Sequence, residues 1–147
     1  MIVSRRLLLS LPAILAARCS SPPPAVLTLT VIGGADQNPD ASGRPATVAV
    51  RLFQLSNAAF ERGDVFALTE REQQTLGADG LGSDEFVIKP GETRTITREL
   101  KPGAQFIGTA VLFRDLDRAR WRGVAPVAAS GPSRRALTIT RLTAALA

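Results

Sequence analysis

The stretch Val26-Leu27-Thr28-Leu29-Thr30-Val31-Ile32 decides the architecture of this chain. Apolar residues at 27, 29 and 31 alternate with threonine at 28 and 30. Successive side chains of a strand point to opposite faces, so the segment predicts a strand buried on one face and solvated on the other. Six more segments follow with the same grammar. Thr47–Leu55 reads as the second strand and Glu85–Ile88 as a short third. Thr93–Leu100 alternates again, with Arg94, Ile96, Arg98 and Leu100 on one side. Gln105–Phe113 is apolar on nearly both faces, which predicts a central strand. Trp121–Val124 and Leu137–Leu142 complete a set of seven. Lys89-Pro90-Gly91-Glu92 and Lys101-Pro102-Gly103 carry tight-turn chemistry. Short strands at regular spacing with Pro-Gly turns predict a mainly β fold, a two-sheet β-sandwich over residues 26–147.

Two segments interrupt this pattern. Gly33–Pro45, rich in Gly, Pro and Asp/Asn, is longer than a hairpin needs, and loops of that length are usually functional. Ser56 or Asn57 can start a short helical turn reaching Arg62. Asp64 then caps a segment whose apolar residues Val65, Phe66, Leu68 and Leu76 face polar Glu70–Gln74. This predicts an amphipathic helix of about three turns, closed by Gly77. Its polar face mixes Glu70, Arg71 and Glu72, so packing against the sandwich is favoured over lying on a membrane.

Upstream of the first strand, Ser20–Ala25 is a stiff proline-rich tether. Before it, Met1–Arg6 is basic and Leu7–Ala17 is apolar but too short to span a bilayer, so residues 1–18 read as a secretory signal peptide. Cys19, the only cysteine, follows it directly. A lone cysteine at the cut site, with nothing to pair with, points to a lipid-bearing N-terminus over residues 19–25. Arg18 stands where a lipoprotein signal has a small residue, and the other reading is cleavage near Ala17 with a free thiol at Cys19. Ser4-Arg5-Arg6-Leu7 resembles a twin-arginine export motif, although paired arginines are common in ordinary signals.

The chemistry available is narrow. The chain has no histidine and no tyrosine. Ser-His and Cys-His nucleophile pairs and the usual transition-metal sites are therefore excluded, and no cofactor is expected. Asp115 and Asp117 lie between Arg114 and Arg118, which hold carboxylates ionised and unsuited to acid catalysis, so a polar turn is favoured over a hydrolase site. Asp36-Gln37-Asn38-Pro39-Asp40 concentrates oxygen atoms without the spacing of a calcium loop and reads as turn chemistry. Trp121 between Arg120 and Arg122 reads as core, with the charges on the other face. Without Arg5, Arg6 and Arg18 the chain carries 15 basic against 13 acidic residues, too even a balance to indicate nucleic acid.

The order of several fragments carries a resemblance. They are the Leu-Thr-Leu-Thr strand, Asn38-Pro39-Asp40-x-x-Gly43-Arg44-Pro45, Val50-Arg51-Leu52-Phe53-Gln54-Leu55, Ala59-Phe60 and Phe66-x-Leu68. Leu76-Gly77-x-Asp79, Pro90-Gly91-Glu92, Gly108-x-Ala110-x-x-Phe113-Arg114-Asp115-Leu116 and Trp121-Arg122 continue it. In this order, over about Val26 to Leu142, the chain resembles the TssJ family, outer-membrane lipoproteins of bacterial type VI secretion systems. The resemblance implies a transthyretin-like sandwich with added helices. It also implies a lipid at Cys19 in the inner leaflet of the outer membrane, facing the periplasm. It further implies a non-catalytic role in the trans-envelope complex, in which the loop between the first two strands binds the periplasmic C-terminal part of the inner-membrane protein TssM. By position that loop is Gly33–Pro45, with Asp36, Gln37 and Asn38 expected as exposed polar groups at its middle and Pro39 and Asp40 beside them. No small-molecule substrate is implied. The other class weighed is a periplasmic carrier of transthyretin-like or lipocalin-like kind, which needs a cavity that Phe53, Phe106, Ile107, Val111, Leu112, Phe113 and Trp121 look sufficient to fill.

Overall fold

In the computed structural model, which describes residues 20–58, 60 and 63–147, the side chains of Leu27, Leu29 and Val31 are fully buried and those of Thr28 and Thr30 are partly exposed. Their strand, β1 (Val26–Gly33), is followed by β2 (Val48–Leu55), two short helices α1 (Val65–Glu70) and α2 (Glu72–Leu76), then β3 (Gly80–Ile88) and β4 (Thr93–Glu99). The chain continues through β5 (Phe106–Leu112), β6 (Arg122–Pro126), β7 (Pro132–Thr140) and β8 (Thr143–Leu146). Two four-stranded sheets result, ordered β4-β1-β7-β8 and β3-β2-β5-β6. All pairings are antiparallel except β1 with β7.

The sheets face each other through one core. Leu27, Leu29, Val31, Leu137 and Ile139 come from the first sheet, and Val48, Val50, Leu52, Ile107 and Val111 from the second. Each such side chain, fully withdrawn from water, contributes roughly 1.5–3 kcal/mol. On β2 the next residues in register, Phe53 and Leu55, point to the opposite face and are also buried. They join Phe60, Leu68, Leu76 and Ala110 in a second cluster under the helical insertion. Ala110 of β5 lies in this second cluster while Ile107 and Val111 lie in the first, which explains why that segment reads as apolar on nearly both faces. Phe60 rests on the sheet where β5 has Gly108, and a Cβ there would meet its ring at 3.0 Å. Its ring is tilted 52° to that of Phe53 with centroids 5.0 Å apart.

Several boundaries differ from expectation. The single helix is broken at Arg71 (φ −126°, ψ 41°), and a 3-10 turn, Gly77–Asp79, follows α2. At the break Arg51 Nη1 donates to the Thr69 carbonyl at 3.1 Å, while the Ala67 carbonyl accepts the Arg71 N–H at 3.2 Å and, in addition, the Thr75 hydroxyl at 2.8 Å. The Asp64 cap holds, accepting the Ala67 N–H at 2.8 Å. Of the turn expected up to Arg62, residues 59, 61 and 62 lie outside the described residues, as do the whole signal segment and Cys19. The third strand starts at Gly80, earlier than its sequence shows, because Gly80 and Gly82 lack side chains to mark the period. The last expected strand is a hairpin, β7 and β8, turning at Arg141 with φ 45°, so the described residues form eight strands where seven were expected. Trp121 precedes its strand and is half-buried against both clusters, with the Arg122 guanidinium 4.1 Å from its ring centroid. Asp115 lies in the expected polar turn, 3.8 Å from Arg118 Nε.

The two long sides of the sandwich close differently. Along β6 and β8, Arg120 bonds through its backbone to the Leu142 carbonyl at 2.9 Å and the Ala144 N–H at 2.8 Å. Between β3 and β4 side chains span the gap: Arg98 Nη2 reaches Asp84 Oδ2 at 2.7 Å, and Arg94 Nη1 donates to the Val87 carbonyl at 3.0 Å.

Candidate partner-binding loop

The 33–45 loop is built on close backbone approach. A Cβ on Gly34 would come within 2.5 Å of the Ile139 carbonyl oxygen, so no larger residue fits without moving β7. Gln37 then turns inward. Its Nε2 donates to the Ile88 carbonyl at 2.8 Å and to the Ala46 carbonyl at 3.2 Å, tying the loop to the ends of β3 and β2. Its Oε1 is buried with no hydrogen-bond partner among the described residues. Asn38 adopts φ 47°, a left-handed conformation that asparagine tolerates better than most residues. Its Nδ2 donates to the Thr47 carbonyl at 2.9 Å, and its Oδ1 accepts the Arg114 N–H at 2.8 Å.

This corrects one sequence expectation. Gln37 and Asn38 are 0 % and 6 % exposed, and they shape the loop from beneath. An Asn or Gln in a Gly/Pro-rich segment reads as surface, and nothing local announces carbonyls up to 51 residues away that need a donor. Asp36 is exposed as expected, and its Oδ1 accepts the Arg141 N–H at 3.1 Å. The Asn38 N–H donates to the Arg141 carbonyl at 2.7 Å, so the β7–β8 turn is a fourth anchor.

Beyond Asn38 the loop folds on itself. Asp40 Oδ1 accepts the Ser42 N–H, the Ser42 hydroxyl and the Arg44 N–H at 2.8–2.9 Å. The Ser42 hydroxyl bond, the Arg44 and Ser42 N–H bonds and the charge of Arg114 hold its carboxyl below the usual carboxylate range, against a small opposing burial effect. Pro39 and Asp40 are partly exposed, and Ala41, Ser42, Gly43, Arg44 and Pro45 are exposed. Pro39, Asp40 and Ala41 form a shallow hollow with Arg114 and Asp115 of the β5–β6 connection. Together these residues form a polar surface at one end of the sandwich.

Two four-stranded sheets, a helical insertion packed on one of them and a pinned loop at one end define a two-sheet β-sandwich of the transthyretin-like kind. The chain belongs to the family described as "Type VI secretion lipoprotein, VasD, EvfM, TssJ, VC_A0113", whose model matches residues 25–142. Among solved structures it is similar to the T6SS lipoprotein TssJ1 from Pseudomonas aeruginosa. That match has 36% identity and a TM-score of 0.80, and covers 85% of this chain and 96% of that one. It shares the fold of Serratia marcescens Lip, a membrane-bound component of the type VI secretion system, at 22% identity and TM-score 0.76, over 84% of this chain and 96% of that one. It is also similar to a chain of the structure described as the T6SS protein TssM C-terminal domain from EAEC. There the identity is 25% and the TM-score 0.70, over 84% of this chain and 98% of that one. No curated protein sequence matches the chain.

Proposed function

We propose that this chain is a non-catalytic, lipid-anchored subunit of a type VI secretion envelope complex. Cys19 carries the lipid in the periplasmic face of the outer membrane. The 33–45 loop binds the periplasmic C-terminal part of a TssM-like inner-membrane protein. The observation that carries this reading is that tether and loop leave opposite ends of one strand. Gly131 N–H points at the Pro23 and Pro24 carbonyls (3.3 and 3.2 Å), and Val26 N–H donates to the Gly131 carbonyl at 3.0 Å, so the tether enters β1 in a set direction. Eight residues later, about 26 Å further along the strand, the loop begins. An anchored chain thus holds its pinned loop away from the bilayer and toward the periplasm.

The pinning also bears on affinity. A loop already held by Gln37, Asn38 and Asp40 loses little further freedom on binding, and a membrane-confined partner meets it at raised effective concentration. Asp36, Pro39 and Asp40, with exposed Ala41 and Arg44, form the contact face, and Gln37 and Asn38 keep its shape.

Intact mass of the chain from the membrane fraction tests the anchor. A species starting at Cys19 with diacylglyceryl and acyl mass supports it, and an unmodified soluble species cut near Ala17 removes it. Co-purification with the TssM periplasmic domain tests the loop. Replacing residues 39–44 by a short Gly-Ser link is expected to abolish capture, and full capture by that variant refutes the loop assignment.

A further inference from the structure

Among the described residues, no helix lies over the outer face of the sheet β4-β1-β7-β8, unlike its partner sheet. Thr28, Thr30 and Ile32 of β1 point outward, flanked by Thr95 and Thr97 on β4 and Ala136 on β7. Ile32 is 39% exposed. The register puts just two charges on this face among the described residues, Glu99 opposite Val26 and Arg134 opposite Thr28. They are of opposite sign, on either side of β1, near its tether end. Neither makes an ion pair among the described residues.

We propose that this face is where two copies of the chain pair, related by a two-fold axis parallel to β1. Such an axis carries the β4 side of one copy onto the β7 side of the other at unchanged height along the strand. Glu99 of each copy then faces Arg134 of its mate, two residues or about 6.6 Å apart along the strand, within reach of an arginine side chain. The flat threonine surfaces meet between them. The same axis keeps both tethers at one end of the pair, so both copies enter one membrane. An axis across the strands puts the tethers at opposite ends and leaves Glu99 of each copy on the side away from Arg134 of its mate. The charge placement and the anchor geometry thus select the same symmetry, and the choice of axis rests in part on the lipid-anchored reading. The buried area is on the order of 1,000 Å² in total, below that of a standard stable interface, so confinement to a membrane would strengthen the pair without being required for it.

Cross-linking of the full chain in cells with a short bifunctional maleimide tests this. On the proposed axis Thr30 faces its own counterpart across sheets stacked about 10 Å apart, so Thr30→Cys is expected to give a cross-linked dimer well above the level of the unsubstituted chain. Gln74→Cys, exposed on the helical side, is expected to stay at that level. In the Thr30→Cys background, Glu99→Arg or Arg134→Glu alone is expected to lower the dimer yield about five-fold or more, because each opposes like charges across the pair. The double exchange is expected to restore it, which a variant that merely failed to fold could not do. No Thr30→Cys dimer in either fraction, equal cross-linking at Gln74→Cys, or single reversals without effect overturns the pairing. A Thr30→Cys dimer recovered in the soluble fraction overturns the anchor and leaves the pairing standing.

Discussion

Asn38 Oδ1 accepts the backbone N–H of Arg114 at 2.8 Å, across 76 residues of sequence. The loop between the first two strands is thereby fastened to the end of the central strand of the opposite sheet. The amide's other end holds the Thr47 carbonyl, so one side chain sets both the path of its own loop and the start of β2.

Replacing it should therefore cost more than a surface change. Asn38→Ala leaves two part-buried backbone groups without these partners and puts alanine at a positive φ, an expected loss of about 1–3 kcal/mol. Asn38→Gly removes the same bonds without the conformational strain and is expected to lose less. Urea unfolding midpoints with unchanged slope check both.

Gly108 and Phe60 form a second pair whose fit is testable. Gly108→Ala drives a methyl into the Phe60 ring, which should destabilise by about 1–3 kcal/mol. Adding Phe60→Leu to Gly108→Ala should recover part of the loss, read as a non-additive shift in thermal midpoint.

Arg51 holds the break between α1 and α2. Its guanidinium reaches the Thr69 carbonyl, and Glu72 Oε2 at 3.5 Å, which also accepts the Ser83 hydroxyl at 2.8 Å. Arg51→Met keeps the aliphatic stem and removes these bonds. We expect faster proteolysis within residues 65–76 and a loss of about 1–2 kcal/mol, with the inter-sheet core intact by near-ultraviolet circular dichroism.

Asp40 gives the loop a pH dependence of known sign. Its folded pKa is depressed, so the stability it contributes is present above the unfolded carboxylate range and is lost as the pH falls through and below that range. Amide exchange at Ser42 and Arg44 should rise relative to the rest of the chain under acid conditions. Asp40→Asn should flatten that rise.

The alternation of Leu27, Leu29 and Val31, the two-faced hydrophobicity of β5 and the Pro-Gly turns made a two-sheet fold legible, because burial on one face writes a period of two into any strand. The Asp64 cap and Gly77 stop were legible for the same local reason. The order of short motifs was enough to suggest the family, and the length of the 33–45 segment singled out the candidate loop. The tertiary structure alone decided which residues of that loop face outward. Gln37 and Asn38 are polar and local sequence places them in solvent, but carbonyls of Ile88, Ala46 and Thr47 and the N–H of Arg114 converge beneath them and need partners. It also decided the break at Arg71, where the Arg51 side chain from β2 holds the Thr69 carbonyl. Local periodicity records what each residue does with its neighbours in the chain. Which polar group satisfies which, across 50 or more residues, is fixed only once the sheets have packed.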